Sequence, residues 1–359
     1  MKEEGMGEKK SSRRREPRSP EGSSKSRGMV VGIDVGYGFT KIVREDGRRL
    51  MFPSVAAAVA PTIIAQLHPL QDSDEVLVDS IRYIVGERAI GHAERFSNLH
   101  SLWWTLPHYR ALIAQAKKFI PDGACIVTGL PLDKYMAQQA MNHVAQTMKS
   151  GLRAQHVTVI PQGVGAYFSE PTFEHPRNKV ALVDIGTWTT EFVAMAGQDL
   201  ISQASLGIRL GINDIFTTVA TELQAKLNRP VDPHEVERAH RGEEELRTQG
   251  RPVAQEFITD RVTQLAKESA GQVLAKMTDL WGPHAAAYEA VILCGGGAKL
   301  LAPHLKGFRE GMLVLSDGQF ANARGYLNVG LRIYGPPPQI AYTDQVSDKQ
   351  VLDPSGAMV

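Results

Sequence analysis

VVGIDVGYGFTKIV at residues 30–43 aligns without gaps on VALVDIGTWTTEFV at residues 180–193, and the fold prediction rests on this internal similarity. Each copy is an apolar run ending in Asp, then a turn that contains glycine, then a second apolar run. Short apolar runs bounded by turn residues are typical of buried strands, so each copy is predicted to be a β-hairpin. The offset of 150 residues exceeds the roughly 20–50 residues of solenoid repeats. A duplicated domain is therefore indicated.

The segments outside the two hairpins alternate between strand-like and helix-like patterns. This alternation predicts an α/β architecture with central sheets. The predicted buried strands are 124–128, 157–160 and 290–293, and the predicted helices are 106–119, 132–148, 211–227, 233–240, 252–281 and 319–333, with a small-residue helix start at 162–168.

Length and composition limit the class of protein. The 359 residues are enough for two domains, and the net charge of +1 argues against a dedicated nucleic-acid or membrane-surface protein. Cys125 and Cys294 both lie in apolar runs, which favours buried thiols in a reducing compartment over a disulfide. The sequence has no apolar run long enough to span a membrane, so a cytoplasmic location is expected.

Both ends of the chain have the composition of tails. Residues 1–28 are basic and contain no large apolar side chain except Met, which predicts a disordered tail. A solvated linker is the favoured interpretation, and contact with nucleic acid or acidic lipid is the alternative. Three successive prolines at 336–338 stop regular structure, so a flexible C-terminal tail is expected over 335–359.

The hairpins carry the residue types of a phosphate site. An Asp at the end of a buried strand is costly unless something compensates its charge. The following glycines allow backbone N–H groups to converge on an anion, and Lys41 can place a positive charge on a phosphate. Two facing hairpins would hold a polyphosphate, with Asp34 and Asp184 organising a magnesium ion through water. Two ordinary hairpins, whose Asp and Gly residues serve only the turns, are the alternative.

Five segments, taken in order, resemble the actin/heat-shock-chaperone/sugar-kinase ATPase superfamily. They look most like the ParM-type plasmid-segregation actins and their archaeal relatives. The segments are the two phosphate motifs Asp34–Lys41 and Asp184–Thr190, the adenosine motif Val291–Leu301, and the two connecting-helix segments Ile160–Ala166 and Phe320–Gly330.

The resemblance implies an α/β, actin-like fold with two duplicated ribonuclease-H-like lobes around a nucleotide cleft. Lobe I is expected over residues 29–161, with a variable outer subdomain at about 60–121. Lobe II, which contains the adenosine motif, is expected over 162–319, and a helix returning to lobe I over 320–334. Trp103 and Trp104 fall in the outer subdomain, where paired tryptophans indicate core and an exposed one would suit a protomer contact.

The resemblance also implies ATP or ADP with Mg²⁺ as cofactors, GTP being left open. Asp34, Asp184 and Gln162 are the implied catalytic residues, with the two aspartates holding the metal through water. A Gln orients water but is a poor base, so slow hydrolysis is expected; capping of the next helix is the alternative role for Gln162. The implied nucleotide contacts are Gly36, Tyr37, Gly38, Lys41, Gly186, Thr187, Trp188, Thr189, Gly295, Gly296, Gly297 and Lys299, together with Glu222 and Lys226, which could instead form an exposed ion pair.

The first functional hypothesis is an ATPase that polymerises with itself into filaments for plasmid or DNA segregation, through an adaptor that binds DNA. Direct DNA contact and direct membrane contact are not expected. A small-molecule kinase of the same superfamily is the second hypothesis, and a non-polymerising ATP-binding scaffold is the third, because one fold hosts many tasks.

Overall fold

The computed structural model describes residues 27–59, 74–92, 95–96, 102–170, 178–305, 307–309 and 311–336. The predicted tails therefore lie almost entirely outside the described residues, as do parts of the predicted outer subdomain. At the first described residue, Arg27 forms an ion pair with Glu45.

The first half of the chain alternates strands and helices, as the sequence predicts. Its helices are α1 (Glu87–Ile90), α2 (Pro107–Lys117), α3 (Leu132–Tyr135), α4 (Gln138–Leu152) and α5 (Val164–Tyr167). Its strands are β1 (Val30–Val35), β2 (Phe39–Arg44), β3 (Arg49–Pro53), β4 (Ala56–Ala58), β5 (Glu75–Val78), β6 (Ile81–Val85), β7 (Arg95–Phe96), β8 (Cys125–Leu130) and β9 (His156–Pro161).

The second half repeats this alternation with longer helices. Its helices are α6 (Ile212–Leu227), α7 (Pro233–His240), α8 (Gln255–Trp281), α9 (Ala298–Leu301) and α10 (Ala321–Tyr334). Its strands are β10 (Lys179–Ile185), β11 (Thr190–Ala196), β12 (Asp199–Leu200), β13 (Leu206–Ile208), β14 (Arg247–Thr248), β15 (Arg251–Pro252), β16 (Ala290–Cys294) and β17 (Leu313–Val314).

The two halves build sheets of the same design, which we call the sheets of lobe I and lobe II. The strand order is β3-β2-β1-β8-β9 in lobe I and β12-β11-β10-β16-β17 in lobe II, where β13 also pairs with β11. In each sheet the first three strands are antiparallel and the remaining pairs are parallel. The predicted duplication is thus present in the strand topology as well as in the sequence.

A small sheet lies beside lobe I, with strand order β5-β6-β4-β7. Strand β4, the first of these strands along the chain, begins at Ala56, slightly before the expected start of the outer subdomain. Trp103 and Trp104 are buried, at 2% and 3% exposure, so the structure supports a core role for this pair. The predicted helix over 132–148 is wrong in one respect, because the extended backbone of Ala137 divides it into α3 and α4.

Helices α5 and α10 cross between the two sheets. Helix α5 packs with β10 and β11 of lobe II, whereas α10 packs on β1 and β8 of lobe I. A side chain on Gly325 would place its Cβ 1.6 Å from the carbonyl oxygen of Gly165, so the helices touch backbone to backbone. Across the described ranges, no helix combines the length and apolar character needed to cross a membrane.

Candidate functional site

The two hairpins present equivalent turns at the carboxyl ends of β1 and β10. In the first turn the N–H of Gly36 donates to the carbonyl of Phe39 at 3.1 Å. In the second, the N–H of Gly186 donates to the carbonyl of Thr189 at 2.9 Å. These residues are 150 positions apart in the chain, so the repeat extends to the hydrogen bonds that shape each turn.

The tips of the two turns meet across the space between the lobes. A Cβ on Gly38 would lie 2.1 Å from Oγ1 of Thr187, so this glycine is required for the close approach. Both turns line one cavity. Of the predicted site residues, the cavity is lined by Asp34, Gly36, Tyr37, Gly38, Lys41, Gln162, Asp184, Gly186, Thr187, Thr189, Gly295 and Gly296.

Asp34 receives one cationic and one neutral donor. Nζ of Lys41 lies 3.0 Å from its Oδ2, and Nε2 of Gln162 donates to its Oδ1 at 3.3 Å. Lys41 is the cross-strand neighbour of Asp34, which explains why the hairpin brings them together. Gln162 is 8% exposed and lines the cavity, and the hydrogen bond that its side chain makes is to Asp34 rather than to the helix that follows.

Asp184 is a buried carboxylate with little compensating charge. Burial and then the charge of Asp34 raise its pKa to about 6, against hydrogen bonding from Asn322 and other smaller effects. Nδ2 of Asn322 donates to Oδ2 of Asp184 at 2.6 Å. Two desolvated aspartates that share a cavity suit a cation, which would relieve the cost of their charges.

A magnesium ion would have to reach these aspartates together with non-protein ligands. The described part of the chain has no group of three or more His, Cys, Asp or Glu residues able to hold a metal ion. Magnesium commonly keeps several waters and uses one or two carboxylates together with substrate phosphates. Asp34 and Asp184 fit that mode of binding.

Glu191 is a cavity residue that the sequence interpretation missed. It is buried, at 2% exposure, and occupies the position facing Asp184 across β10 and β11. Burial, followed by the charge of Asp184, raises its pKa to about 8. Its Oε2 accepts the N–H of Leu132 from lobe I at 3.4 Å. The repeat carried a signal for it, since Glu191 aligns with Lys41.

Tyr37 fits into the first turn by turning its ring towards the core of lobe I. Its ring centroid lies 5.4 Å from that of Trp103. Burial, followed by the charges of Asp133 and Glu191, raises the pKa of Tyr37 to about 12. Tyr37 therefore lines the cavity as a neutral side chain.

Two glycines after β16, Gly295 and Gly296, line the cavity beside the second hairpin, and we call them the glycine wall. Gly295 has φ +86°, and a Cβ there would lie 2.3 Å from the carbonyl oxygen of Ile185 and 2.4 Å from Oδ1 of Asp184. A Cβ on Gly296 would meet only Nε2 of Gln319, at 4.0 Å. Gly295 thus permits the packing of this loop, whereas Gly296 leaves space in the cavity.

Glu222 and Lys226 do not line the cavity, which corrects the expectation of a nucleotide contact. Glu222 accepts hydrogen bonds from Arg261 of α8 at 2.7–3.0 Å, and Lys226 lies 3.6 Å from the ring centroid of Phe257. Both side chains face α8 because α6 packs against it. Glu222 is therefore paired with Arg261 rather than with Lys226, so the alternative of an ion pair between Glu222 and Lys226 does not match the structure either.

A second pair of oppositely charged residues, at the end of α7, does line the cavity. Nη2 of Arg241, directly after α7, donates to Oε1 of Glu237 at 2.6 Å. Both residues line the cavity, together with Gln319. These are polar groups beside the glycine wall that the sequence interpretation did not select.

Three further predicted contacts lie outside the cavity. The ring of Trp188 lies under the guanidinium group of Arg209, at 4.5 Å. Gly297 is needed for packing, because a Cβ there would lie 2.4 Å from Ile212. Lys299 lines a separate, mainly apolar cavity beside β17.

Comparisons with known proteins agree with this architecture. A family model for the N-terminal domain of actin-like proteins matches residues 32–165, and one for the C-terminal part of archaeal MreB-like actin homologues matches residues 182–307. An archaeal actin homologue of Thermoplasma acidophilum is 23% identical over 341 residues, which cover 85% of this chain and 99% of the relative.

Two solved structures show the same fold. They are a 15-stranded ParM filament from Clostridium botulinum, at 21% identity and a TM-score of 0.67, and an archaeal actin homologue in complex with ADP, at 20% identity and a TM-score of 0.68. Each comparison covers 85% of this chain and 99% of the other. With one family model on each half, a duplicated sheet and a cavity between the two hairpins, the chain belongs to the actin-like superfamily, has archaeal actin homologues among its relatives and shares its fold with ParM.

Proposed function

We propose that the cavity binds ATP with Mg²⁺ and hydrolyses it. The observation that carries this proposal is the meeting of the two turns, where Gly38 contacts Thr187 and the buried carboxylates of Asp34 and Asp184 open on the same cavity. A polyphosphate between the turns would face backbone N–H groups from both lobes. The ADP complex of the archaeal actin homologue supports a nucleotide as the ligand.

Each end of the nucleotide has a distinct set of proposed contacts. The turn residues at 36–38, with Gly186, Thr187 and Thr189, hold the β- and γ-phosphates, and Lys41 contributes a positive charge once a phosphate competes for its pairing with Asp34. The adenosine end lies along Gly295 and Gly296. Glu237 and Arg241 then supply the charged groups that contact ribose or base.

Hydrolysis depends on how the carboxylates and Gln162 hold water. When bound, Mg²⁺ supplies neutralising charge to the phosphates and ordered water between them and the protein. Asp34 and Asp184 accept hydrogen bonds from that water. Gln162 orients the attacking water through its amide, and because an amide is a poor base at neutral pH, turnover is slow.

ATP binding is further proposed to drive assembly into filaments. The ParM filament from Clostridium botulinum supports self-association, and heterologous contacts between identical protomers generate open strands. Hydrolysis then weakens those contacts. Plasmid or DNA segregation through a DNA-binding adaptor is the task we assign to such a filament.

Sedimentation after the addition of Mg–ATP, combined with phosphate-release assays and electron microscopy, tests the proposal. We expect pelleting with ATP, filaments in the micrographs and slow phosphate release. Phosphate release without pelleting would contradict assembly, and stimulation of that release by a sugar would indicate a small-molecule kinase. Binding of ATP without pelleting and without phosphate release would indicate a non-polymerising scaffold.

A further inference from the structure

Asn322 lies in the first turn of α10 and reaches the cavity from outside both hairpins. Its side chain is buried, at 8% exposure. A buried amide is costly unless its polar atoms are paired, so its partners indicate what it is there to hold. It takes no part in the nucleotide contacts proposed above.

The amide of Asn322 joins three separate points of the structure. Oδ1 accepts the N–H groups of Gly163 and Ala166, each at 3.0 Å, and Nδ2 donates to Oδ2 of Asp184 at 2.6 Å. Two N–H donors fix the oxygen end of the amide. The nitrogen end therefore has to face the carboxylate, and this hydrogen-bond pattern defines the orientation of the side chain.

The bonds to Gly163 and Ala166 hold the start of α5. The first N–H groups of a helix have no partner within the helix, and Gly163 has no side chain with which to cap it. Asn322 supplies the missing acceptor from α10. Gln162 directly precedes this capped turn, so Asn322 also fixes the backbone that carries Gln162.

We propose that Asn322 is a positioning residue that holds Asp184 of β10 and Gln162, directly after β9, in the relative position that hydrolysis requires. This inference rests on the proposed ATPase function. Asp184 lies in β10 of the lobe II sheet, Gln162 directly follows β9 of the lobe I sheet, and the Asn322 amide bonds both to Asp184 and to the turn after Gln162. Displacement of an attacking water by about 1 Å costs about 100-fold in rate, so this register matters for turnover more than for affinity.

The chain offers a matched control two turns further along the same helix. Nδ2 of Asn328 donates to the carbonyl oxygen of Phe168 at 2.9 Å, which links α10 to the end of α5. Asn328 does not line the cavity. Asn328→Ala therefore removes one hydrogen bond from the same helix crossing without touching Asp184 or the start of α5.

Steady-state phosphate release and calorimetric titration with Mg–ADP test the proposal on the full chain, Asn322→Ala and Asn328→Ala. We expect Asn322→Ala to lower kcat by about 10–100-fold, as loss of an outer-shell partner typically does. Its Kd for Mg–ADP should stay within about threefold of the parent value, and Asn328→Ala should keep the parental kcat. The proposal is overturned if Asn322→Ala keeps more than half of the parental kcat, or if Asn328→Ala loses as much.

Hydrogen exchange separates this inference from the proposed function. If the parent protein releases no phosphate, the ATPase proposal fails and the amides of Gly163 and Ala166 decide whether Asn322 positions this turn. Their exchange should be faster in Asn322→Ala than in the parent, and unchanged in Asn328→Ala. Equal exchange in Asn322→Ala and the parent would overturn the positioning role.

Discussion

Glu191 faces Asp184 across the second hairpin, and both carboxyl groups are buried in the wall of the cavity. Burial and the charge of Asp184 raise the pKa of Glu191 from 4.5 to about 8. Between these two pH values the folded chain retains a proton that the unfolded chain has lost. The free energy of unfolding therefore falls as pH rises through this window, and the loss is complete above about pH 8.

Glu191→Gln removes this pH-dependent loss because an amide does not ionise. We expect the variant to gain in Tm over the parent between about pH 5 and pH 8, measured without nucleotide. Glu222→Gln is the control, since the Arg261 guanidinium holds the pKa of Glu222 below its usual value. A Tm difference between Glu191→Gln and the parent that stays constant over this range would show that Glu191 does not titrate there.

Gly38→Ala is expected to weaken nucleotide binding. The added methyl group would lie against Thr187 and hold the turns apart, and overpacking of this kind costs about 1–3 kcal/mol. Affinity for Mg–ATP should drop tenfold or more, as measured by calorimetry. Gly271→Ala in α8 is the control, because no atom lies within 4 Å of its Cβ position. Equal affinities for Mg–ATP in the two variants would show that nucleotide binding does not depend on the close approach of Gly38 to Thr187.

Gln162→Ala should separate hydrolysis from assembly. The substitution removes the amide that orients water but no proposed phosphate contact, so we expect kcat to fall by about 100-fold while ATP-dependent pelleting persists. Phosphate release and sedimentation on the same samples measure both effects. An unchanged kcat would show that Gln162 does not contribute to hydrolysis. Loss of pelleting would indicate that it contributes to ATP binding or to assembly.

Glu237→Ala and Glu222→Ala form a matched pair for the nucleoside end of the cavity. Of the two, only Glu237 lines the cavity, whereas Glu222 on α6 is paired with Arg261 of α8. Loss of a charged hydrogen bond costs about 1.5–3 kcal/mol, so Glu237→Ala should raise the Kd for Mg–ADP about tenfold or more. Glu222→Ala should leave it unchanged. A larger increase in the Kd for Mg–ADP in Glu222→Ala than in Glu237→Ala would support a nucleotide contact by Glu222.

The sequence was sufficient for the fold because the decisive pattern is local and repeated. The matching hairpins predicted two sheets of one design, and the Asp34–Lys41 contact follows from hairpin register. The identity of the side chains at the nucleoside end was harder to predict, because it depends on whether α6 or α7 presents its charged residues to the cavity. Glu222 with Lys226 and Glu237 with Arg241 are both oppositely charged pairs four residues apart. The contacts of Glu222 with Arg261 and of Lys226 with Phe257, both residues of α8, distinguish the first pair from the second.

Asn322 was missed for a related reason, although the segment that contains it resembles a connecting helix. Its role depends on the crossing of α10 with α5, which brings together residues that are 138 and 159 positions away in the chain. A polar residue near the start of a helix is more often a local cap or a solvated residue.

Calorimetric titration of Mg–ATP into the full chain and into Asp184→Ala tests most directly whether the two hairpins hold a metal-bound triphosphate. We expect one saturable binding event per chain in the parent, which weakens strongly when magnesium is withheld, and loss of phosphate release in Asp184→Ala. A parent titration without saturable heat, or turnover by Asp184→Ala at the parental rate, would contradict this account.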